Sequence, residues 1–284
     1  MFEASVGGGI PIIRPLCQCL AANYIEGIAG ILNGTTNFIL TMMIEEGMSF
    51  EEALKIAQEK GYAEKDPTAD VEGHDACRKV CILASLAFGK HVYPNQVETE
   101  GITKISLEDV SYIENAGGVI KLLGQIKYIN DNEIAAFVSP AVVYNGSQLA
   151  SVKDVFNAIL VRGDAVGDVC FYGPGAGKLP TASAVVADII DCAKHSDRKK
   201  IFGWGEGSEN YVVDYKEKIE MPFYVRAKAT PNEVNSKFAD VKFLSRKGQP
   251  SDEVAFITDY MTENKLNKKL DGMNVINTIK VTNY

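Results

Sequence analysis

The best candidates for chemistry in this sequence lie in and directly after an acidic loop, residues 61–73, between two predicted helices. Proline and glycine favour a shaped loop there, and four carboxylates fall within nine positions of it: Glu64, Asp66, Asp70 and Glu72. Asp75 and Lys79 follow with the i, i+4 spacing that puts both side chains on one face of a helix. Carboxylate neighbours and burial can direct such a lysine to proton transfer. The alternative is a solvated loop beside an ordinary ion pair, which contributes a few tenths of a kcal/mol, and the spacing leaves both open.

Two glycine-rich segments near the N-terminus are candidate ligand contacts. Residues 6–10 (VGGGI) follow Glu3, and main-chain carbonyls with one carboxylate would suit a hard cation such as sodium. Residues 33–37 (NGTTN) set amide and hydroxyl groups at a predicted helix start, where free N–H groups attract a carboxylate or phosphate. A tight turn is the simpler explanation of the first segment, and helix capping explains the second equally well.

A third glycine segment, residues 173–177 (GPGAG), lies between a predicted strand and a predicted helix. Its spacing is GxGxG, whereas the dinucleotide fingerprint of a βαβ unit reads GxGxxG. No strand ending in an acidic residue follows at the distance that a ribose contact requires. We therefore predict a loop that touches a ligand from the side, and we expect any nucleotide-binding domain elsewhere.

The composition is that of a folded globular protein with no affinity for nucleic acid. The chain has 284 residues, of which 46% are hydrophobic, and 29 Lys plus Arg against 37 Asp plus Glu give a net charge of −8. This charge repels phosphate backbones and anionic membrane surfaces. The longest apolar run, residues 80–88, is too short to span a membrane, and the N-terminus lacks a secretory signal pattern. We therefore expect no membrane association and a cytoplasmic location.

The six cysteines lack the regular spacing of a disulfide scaffold or a CxxC pair, and we predict that they are reduced core residues. Zinc bound by His74, Cys77 and Cys81, on consecutive turns of one helix, is the alternative, although no fourth ligand is visible. None of the three histidines is paired with a serine or cysteine in a nucleophile motif, so hydrolase chemistry has no support.

Capping signals and periodicity place the elements of the first part of the chain. Ser49 and Glu52 form the capping-box pattern that begins a helix, and Asn33 or Thr35 is available to cap the helix before it. The predicted helices cover residues 15–22, 36–46, 49–60, 73–88 and 181–194, and the predicted strands cover residues 25–32, 126–129, 133–143 and 168–172.

The order of these elements indicates an α/β or α+β fold in which helices cover a sheet. The charge changes towards the C-terminus, because residues 221–284 hold 10 Lys plus Arg and 7 Asp plus Glu. Their predicted order is βαββαβ, the split-βαβ ferredoxin-like unit, and a stretch without periodicity precedes them. We predict two domains, residues 1–212 and residues 213–284, the second consisting of a linker and this unit.

Five segments in this order resemble successive signatures of the homoserine dehydrogenase family and together reach from residue 1 to about residue 195. They are residues 3–13 (EASVGGGIPII), 33–37, 61–70, 73–79 and 173–177. The resemblance implies reversible reduction of L-aspartate 4-semialdehyde to L-homoserine with NADPH or NADH, on the route to threonine and methionine. It also implies an α+β fold: a mixed sheet covered by helices, of the type of the C-terminal domain of glyceraldehyde-3-phosphate dehydrogenase, followed by an ACT-type domain.

The resemblance further implies roles for single residues. Lys79 resembles the family's catalytic lysine, which gives a proton to the aldehyde oxygen as hydride arrives, and Asp75 resembles its acidic partner. The other implied contacts are Glu64, Asp70 and Thr36 with the substrate, Gly173, Gly175 and Gly177 with the nicotinamide of NADP or NAD, and Glu3 with the carbonyls of Val6, Gly8 and Ile10 around Na⁺ or K⁺.

The sequence departs from the family pattern at both ends. In the family a Rossmann domain precedes the first segment and supplies the dinucleotide fold. We therefore expect either a truncated product or one half of a split enzyme, nearly inactive until a Rossmann-domain partner is present. The resemblance also implies a homodimer. At the other end, residues 229–233 (ATPNE) lack the Asp-x-Pro-Gly of an ACT loop, which argues against effector binding there. The alternative function is a non-catalytic oligomerisation or amino-acid-sensing subunit, and a third hypothesis is another dehydrogenase with this domain.

Overall fold

The computed structural model describes residues 1–197 and 203–284. Its strands are β1 (Ile25–Ile31), β2 (Glu98–Thr99), β3 (Gly118–Asn130), β4 (Glu133–Tyr144), β5 (Phe156–Gly163), β6 (Gly167–Pro174), β7 (Phe223–Lys228), β8 (Val241–Leu244), β9 (Glu253–Thr258) and β10 (Asn274–Val281). Its helices are α1 (Gly34–Glu45), α2 (Phe50–Glu59), α3 (Thr68–Val71), α4 (His74–Phe88), α5 (Leu107–Asn115), α6 (Lys178–Lys194), α7 (Tyr215–Lys218), α8 (Pro231–Lys237) and α9 (Glu263–Leu270). Short 3₁₀ turns cover Glu3–Ser5 and Pro94–Gln96.

All ten strands belong to one mixed sheet. Its neighbours follow the order β6-β5-β1-β3-β4-β10-β7-β9-β8, and β2 pairs with β4 off this path. The β4–β10 and β2–β4 pairs are parallel, while the other pairs are antiparallel. The large mixed sheet confirms the α+β class predicted from the sequence.

Helices α1, α4 and α5 pack on β3, the strand next to the middle of the sheet. Their apolar side chains and one face of the central strands form the largest hydrophobic cluster, which includes Val80, Leu83 and Val138. A smaller cluster lies on the opposite face around Leu123, where Tyr284 adds its ring. Within the described residues, no helix combines the length and the apolar character needed to cross a membrane.

The local signals in the sequence place most elements well. The Ser49–Glu52 capping box is present at the start of α2, and α4 ends at Gly89, whose φ of 75° favours glycine. Residues 15–19 form a π-helical turn, shorter than the predicted helix. The prediction started β3 too late and omitted β5, because both strands are buried on their two faces and show no alternation of apolar and polar residues.

The C-terminal residues have the predicted βαββαβ order, and their strands follow the ferredoxin-like order 4-1-3-2. A second hydrophobic cluster lies between these strands and helices α8 and α9. The last strand, β10, also pairs with β4, so the sheet continues through the predicted boundary between residues 212 and 213. That boundary stays a prediction.

Charged side chains are buried where α5 meets the C-terminal strands. Asp109, on α5, is fully buried and lies 3.1 Å from the Arg226 guanidinium on β7. The hydroxyl of Tyr224 donates to Asp109 at 2.9 Å, and burial raises the pKa of Tyr224. Glu253, on β9, adds a second carboxylate beside Arg226. These contacts fix α5 to the C-terminal part of the sheet.

Candidate active site

Lys79 is held on α4 by a carboxylate and a main-chain carbonyl. Its Nζ donates to Asp75 Oδ2 at 2.7 Å and to the carbonyl oxygen of Leu32 at 2.8 Å. Asp75 lies in the first turn of α4, where the helix dipole favours an anion. The lysine side chain is 20% exposed, so the ammonium is oriented by two partners and remains accessible.

Asn33, directly before α1, connects this pair to Asp70. Its side-chain amide donates to Asp70 Oδ1 at 2.7 Å and to Asp75 Oδ2 at 2.9 Å, while its side-chain oxygen accepts from the main-chain N–H of Thr36. Burial is the main cause that raises the pKa of the Asp70 carboxyl, and repulsion from Asp75 adds to it. The structure therefore brings Asp70, Asp75 and Lys79 together around Asn33.

Two of the predicted substrate contacts lie differently. Glu64 is exposed, and we find no hydrogen bond or ion pair to its carboxylate within residues 1–197 and 203–284. Thr36 is buried and its hydroxyl donates back to Asn33, so that it completes the cap of α1. The neighbouring Thr35 hydroxyl donates to the carbonyl oxygen of Tyr62 at 2.7 Å, which fastens the acidic loop to the start of α1.

The first and third glycine segments pack against each other. The main-chain N–H of Gly9 donates to the carbonyl oxygen of Pro174 at 3.3 Å. A Cβ atom on Gly8 would lie 2.3 Å from the carbonyl oxygen of Gly175, which leaves no room for a side chain at position 8. Residues 6–10 and 173–177 thus form a double loop.

Asn157, on β5, lies between this double loop and the start of α1. A Cβ atom on Gly175 would lie 2.2 Å from Asn157 Nδ2, and one on Gly34 would lie 3.5 Å from Asn157 Oδ1. The side chain is buried, and its Oδ1 accepts no hydrogen bond from any described residue. A buried carbonyl oxygen without a donor costs about 1–3 kcal/mol. The sequence analysis did not single out this residue.

The Glu3 carboxylate, predicted to face a cation, binds main-chain N–H groups. It accepts hydrogen bonds from Ile12 and Ile13 at 2.7 Å each and from Arg14 at 2.9 Å. The Arg14 guanidinium also donates to Asp188 on α6 at 2.5 Å. The carboxylate therefore fixes the turn after residue 10 and has little remaining capacity to bind a cation.

Main-chain carbonyls are the better candidates for that cation. We find no hydrogen bond to the carbonyl oxygens of Val6, Gly8 and Ile10 in the part of the chain that the structure describes. Carbonyl oxygens are ligands that hard cations accept, so these three fit the predicted site and Glu3 fits it less well.

The cysteines do not all lie in the core. Cys77 and Cys81 are buried, whereas Cys19, Cys170 and Cys192 are exposed, so the prediction of six core cysteines is wrong for these three. The described ranges contain no group of three or more His, Cys, Asp or Glu side chains that could hold a metal ion. This result gives no support to the zinc alternative.

The chain matches a known protein family and several known proteins. The sequence model of homoserine dehydrogenase matches residues 11–190, well over half of the chain. The chain belongs to the homoserine dehydrogenase family. The homoserine dehydrogenase of Synechocystis sp. is 51% identical over 194 residues, which cover 67% of this chain and 45% of that protein. The chain therefore spans less than half the length of this curated relative.

Solved structures of homoserine dehydrogenases share the fold. The enzyme from Thiobacillus denitrificans superposes with a TM-score of 0.87 at 36% identity, and the match covers 99% of this chain and 69% of that one. A hyperthermophilic archaeal homoserine dehydrogenase mutant in complex with NADPH has a TM-score of 0.56 at 31% identity, over 68% of this chain and 55% of that one.

Three residues of the candidate site make contacts that were not predicted from the sequence. They are Leu32, Asn33 and Asn157. Asn33 was noted as a possible cap and as part of a candidate ligand segment, but its contact with two acidic residues far along the chain was not predicted. The carbonyl of Leu32, which accepts from Lys79, has no sequence signal because every residue carries one. Asn157 could have been found as a polar residue directly before the apolar run of residues 158–161.

Proposed function

We propose that this chain supplies the substrate-binding and catalytic portion of a homoserine dehydrogenase. The reaction is the reversible reduction of L-aspartate 4-semialdehyde to L-homoserine with NADPH or NADH. The observation that supports this most directly is the accessible Lys79 ammonium, held by Asp75 and the Leu32 carbonyl beside the half-buried Asp70.

Lys79 is the proposed acid and base of this reaction. Reduction of an aldehyde adds a hydride to carbon and a proton to oxygen, and an oriented ammonium can deliver that proton as negative charge develops. In the reverse direction the neutral amine removes the proton from the homoserine hydroxyl. Asp75 keeps the amine in position, because its Oδ2 lies 2.7 Å from Nζ.

Asp70 is the proposed partner of the substrate's α-ammonium group. Burial disfavours the charged form of the Asp70 carboxyl group. A cationic group of the substrate would stabilise that form and offset the cost of burial. The exposed Glu64 carboxylate lies in the same acidic loop and is a further proposed contact for the substrate. Thr36 supports the site through the cap of α1.

The double loop is the proposed contact with the nicotinamide of NADP or NAD, through Gly173, Gly175 and Gly177. When bound, the cofactor supplies or accepts the hydride. The absence of side chains at these glycines allows close approach of the main chain, and no side chain of the described residues caps α6, which begins after Gly177. Asn157 Oδ1, behind this loop, is buried and accepts no hydrogen bond from the described residues. This fits a site in which a bound cofactor would supply the donor.

We infer that α6 packs against a nucleotide-binding Rossmann domain, in the same or a separate polypeptide. This helix exposes Leu179, Val186 and Ile189, and exposed apolar side chains on one helix favour contact with another protein surface. Two further proposals rest on the family resemblance: a homodimer, and Na⁺ or K⁺ at the carbonyls of residues 6, 8 and 10. A cytoplasmic location, expected from the sequence, also stays a proposal. The ferredoxin-like order of the last strands supports an ACT-type domain.

The test is NADPH oxidation with aspartate semialdehyde, measured for the chain alone and after addition of a Rossmann-domain polypeptide. We expect the rate to appear with the added domain and to fall at least a hundredfold in Lys79→Ala, because the proton donor is lost. Lys55→Ala, at an exposed position of α2, is the matched control and should keep the rate. A Lys79→Ala variant with the full rate would contradict the catalytic assignment.

A further inference from the structure

A buried ammonium group lies beside the segment that leads into β5. Lys121, on β3, is 2% exposed, and its Nζ donates to Asn37 Oδ1 at 3.0 Å and to the carbonyl oxygen of Val152. Both acceptors are uncharged. Because a buried charge is costly unless hydrogen bonds meet it, the lysine and these two partners are fixed relative to one another.

The Asn37 side chain passes this constraint on to residues 152–156. Its Nδ2 donates to the carbonyl oxygens of Val152 at 3.3 Å, of Asp154 at 2.9 Å and of Phe156 at 3.1 Å. An ammonium group only donates hydrogen bonds, so Lys121 selects the orientation of the Asn37 amide in which Oδ1 faces the lysine and Nδ2 faces the carbonyls. One side chain of α1 is therefore bonded to alternate residues of this segment.

The segment has a main-chain conformation that needs such support. Asp154 has a φ of 57°, and among the described residues it is the one residue other than glycine in the left-handed region. Its main-chain N–H donates to the Thr41 hydroxyl of α1 at 3.1 Å. Residues in sparsely populated conformations persist where surrounding contacts hold them, and they cluster at functional sites. Contacts with α1 and β3 therefore hold a strained turn directly before β5.

This turn determines where Asn157 and the double loop lie. Asn157 follows the segment directly and is paired with Gly173, the first residue of the glycine segment after β6 begins. Its amide also packs closely on Gly175. On the other side, a Cβ atom on Gly34 at the start of α1 would lie 2.7 Å from the carbonyl oxygen of Val155. A shift of the segment would therefore change its packing on both α1 and the double loop.

We propose that Lys121 is a positioning residue for the reaction of the candidate active site. Through the Asn37 amide it holds residues 152–156, and these place Asn157 and the double loop against the start of α1. The inference rests on the proposed function, in which the double loop contacts the nicotinamide. A misplacement of about 1 Å, even from a substitution far from the chemistry, can lower a rate about a hundredfold. A buried lysine can therefore matter to a reaction that it does not touch.

Hydrogen exchange of the chain alone tests the structural part of the proposal. Lys121→Met keeps an apolar stem and removes the ammonium, and it should speed the exchange of amides in residues 153–157 and 173–177 about tenfold. Asn37→Asp keeps an acceptor for Lys121 and removes the donor to the three carbonyls, so it should loosen the same segment. Lys127→Met removes a half-buried lysine from the same strand. It is the matched control and should leave exchange in both segments unchanged.

Steady-state kinetics of the chain with a Rossmann-domain polypeptide tests the part that concerns the reaction. In Lys121→Met we expect KM for NADPH to rise about fivefold and kcat to fall about tenfold. The KM for aspartate semialdehyde should stay the same, because the bonds of Asn33 to Asp70 and Asp75 do not involve the segment. A loss of stability alone would lower the active fraction, and hence kcat, without changing either KM. Lys127→Met should keep all three constants.

Thermal unfolding shows which variants are folded, and Asn37→Asp decides both tests if Lys121→Met does not fold. Unchanged exchange in the folded variants would overturn the proposal, as would an unchanged KM for NADPH in the active enzyme. Equal changes in Lys127→Met would also overturn it, because they would assign the effect to the loss of any lysine from β3. Absence of NADPH oxidation in the wild type would contradict the proposed function, and exchange of the chain alone would still show whether Lys121 holds the segment.

Discussion

The side-chain amide of Asn33 and the carboxylate of Asp70 are joined by a hydrogen bond of 2.7 Å across 37 positions of the sequence. The same amide reaches Asp75, and the oxygen of the same side chain caps α1. One residue therefore couples the start of a helix to the acidic pair beside Lys79.

The two roles of Asn33 can be separated by substitution. Asn33→Ser keeps an oxygen that caps α1 but is too short to bond Asp70 and Asp75, so we expect a loss of stability below about 1 kcal/mol and at least a tenfold loss of reductase activity. Ser49→Ala, which removes a remote cap on α2, should cost about 1 kcal/mol without a change in activity. Urea unfolding and NADPH oxidation measure both quantities, and an active Asn33→Ser would contradict the positioning role.

Because of Lys121, the free energy of unfolding should depend on pH in the alkaline range. It is buried on β3, where its Nζ donates to Asn37 Oδ1 at 3.0 Å, and burial lowers its pKa to about 8. Because the unfolded chain holds this proton up to about pH 10.5, unfolding takes up a proton between the two values. The free energy of unfolding should therefore rise with pH across that interval, by up to about 3 kcal/mol.

Lys121→Met removes the titrating group, so its stability should lack this alkaline rise. Urea unfolding at pH 7.5, 8.5 and 9.5, values placed around the shifted pKa, measures the difference. The exposed Lys55→Met is the control and should keep the rise. Parallel profiles for the wild type and Lys121→Met would show that the lysine does not titrate in this range.

Close packing of Gly175 on Asn157 predicts a pair of coupled substitutions. Gly175→Ala places a Cβ atom 2.2 Å from Asn157 Nδ2, and such overpacking costs about 1–3 kcal/mol. Asn157→Ala in the same chain removes the clash, so the double variant should lose less than the sum of the single variants. Gly146→Ala, where an added Cβ would have no atom of the described residues within 4 Å, is the control and should be neutral in thermal unfolding. Additive losses would contradict the contact.

The buried Arg226 should dominate the contact between α5 and the C-terminal strands. Arg226→Met leaves the fully buried Asp109 without its cation, and an uncompensated buried charge costs about 3–5 kcal/mol. Lys228→Met, two residues along β7, breaks an exposed ion pair with Asp252 and should cost less than about 1 kcal/mol. Urea unfolding distinguishes the two, and equal losses would argue against a buried ionic contact.

Local chemistry was predictable from the sequence, and contacts between distant segments were not. The Ser49–Glu52 capping box and the Asp75–Lys79 pair depend on residues three or four positions apart, so spacing alone specifies them. The contact between Asn33 and Asp70 depends on how two segments pack, and no local pattern encodes that.

The misplaced predictions have the same cause. The Glu3 carboxylate accepts N–H groups from a segment nine to eleven positions further along the chain, and no local pattern predicts that contact. The start of β3 and all of β5 lacked the alternation that marks a strand, because the sheet buries them on both faces. Their assignment needs the tertiary structure.

The position of β10 has a consequence for biosynthesis. This strand is made last among the ten, yet it lies between β4 and β7 in the interior of the sheet. The sheet cannot become continuous from β4 to β7 until residues 274–281 emerge from the ribosome, because β10 is the strand that pairs with both. A nascent chain stalled before that point would leave unpaired one edge of β7 and the end of β4 around residues 141–142, and unpaired edges are templates for aggregation.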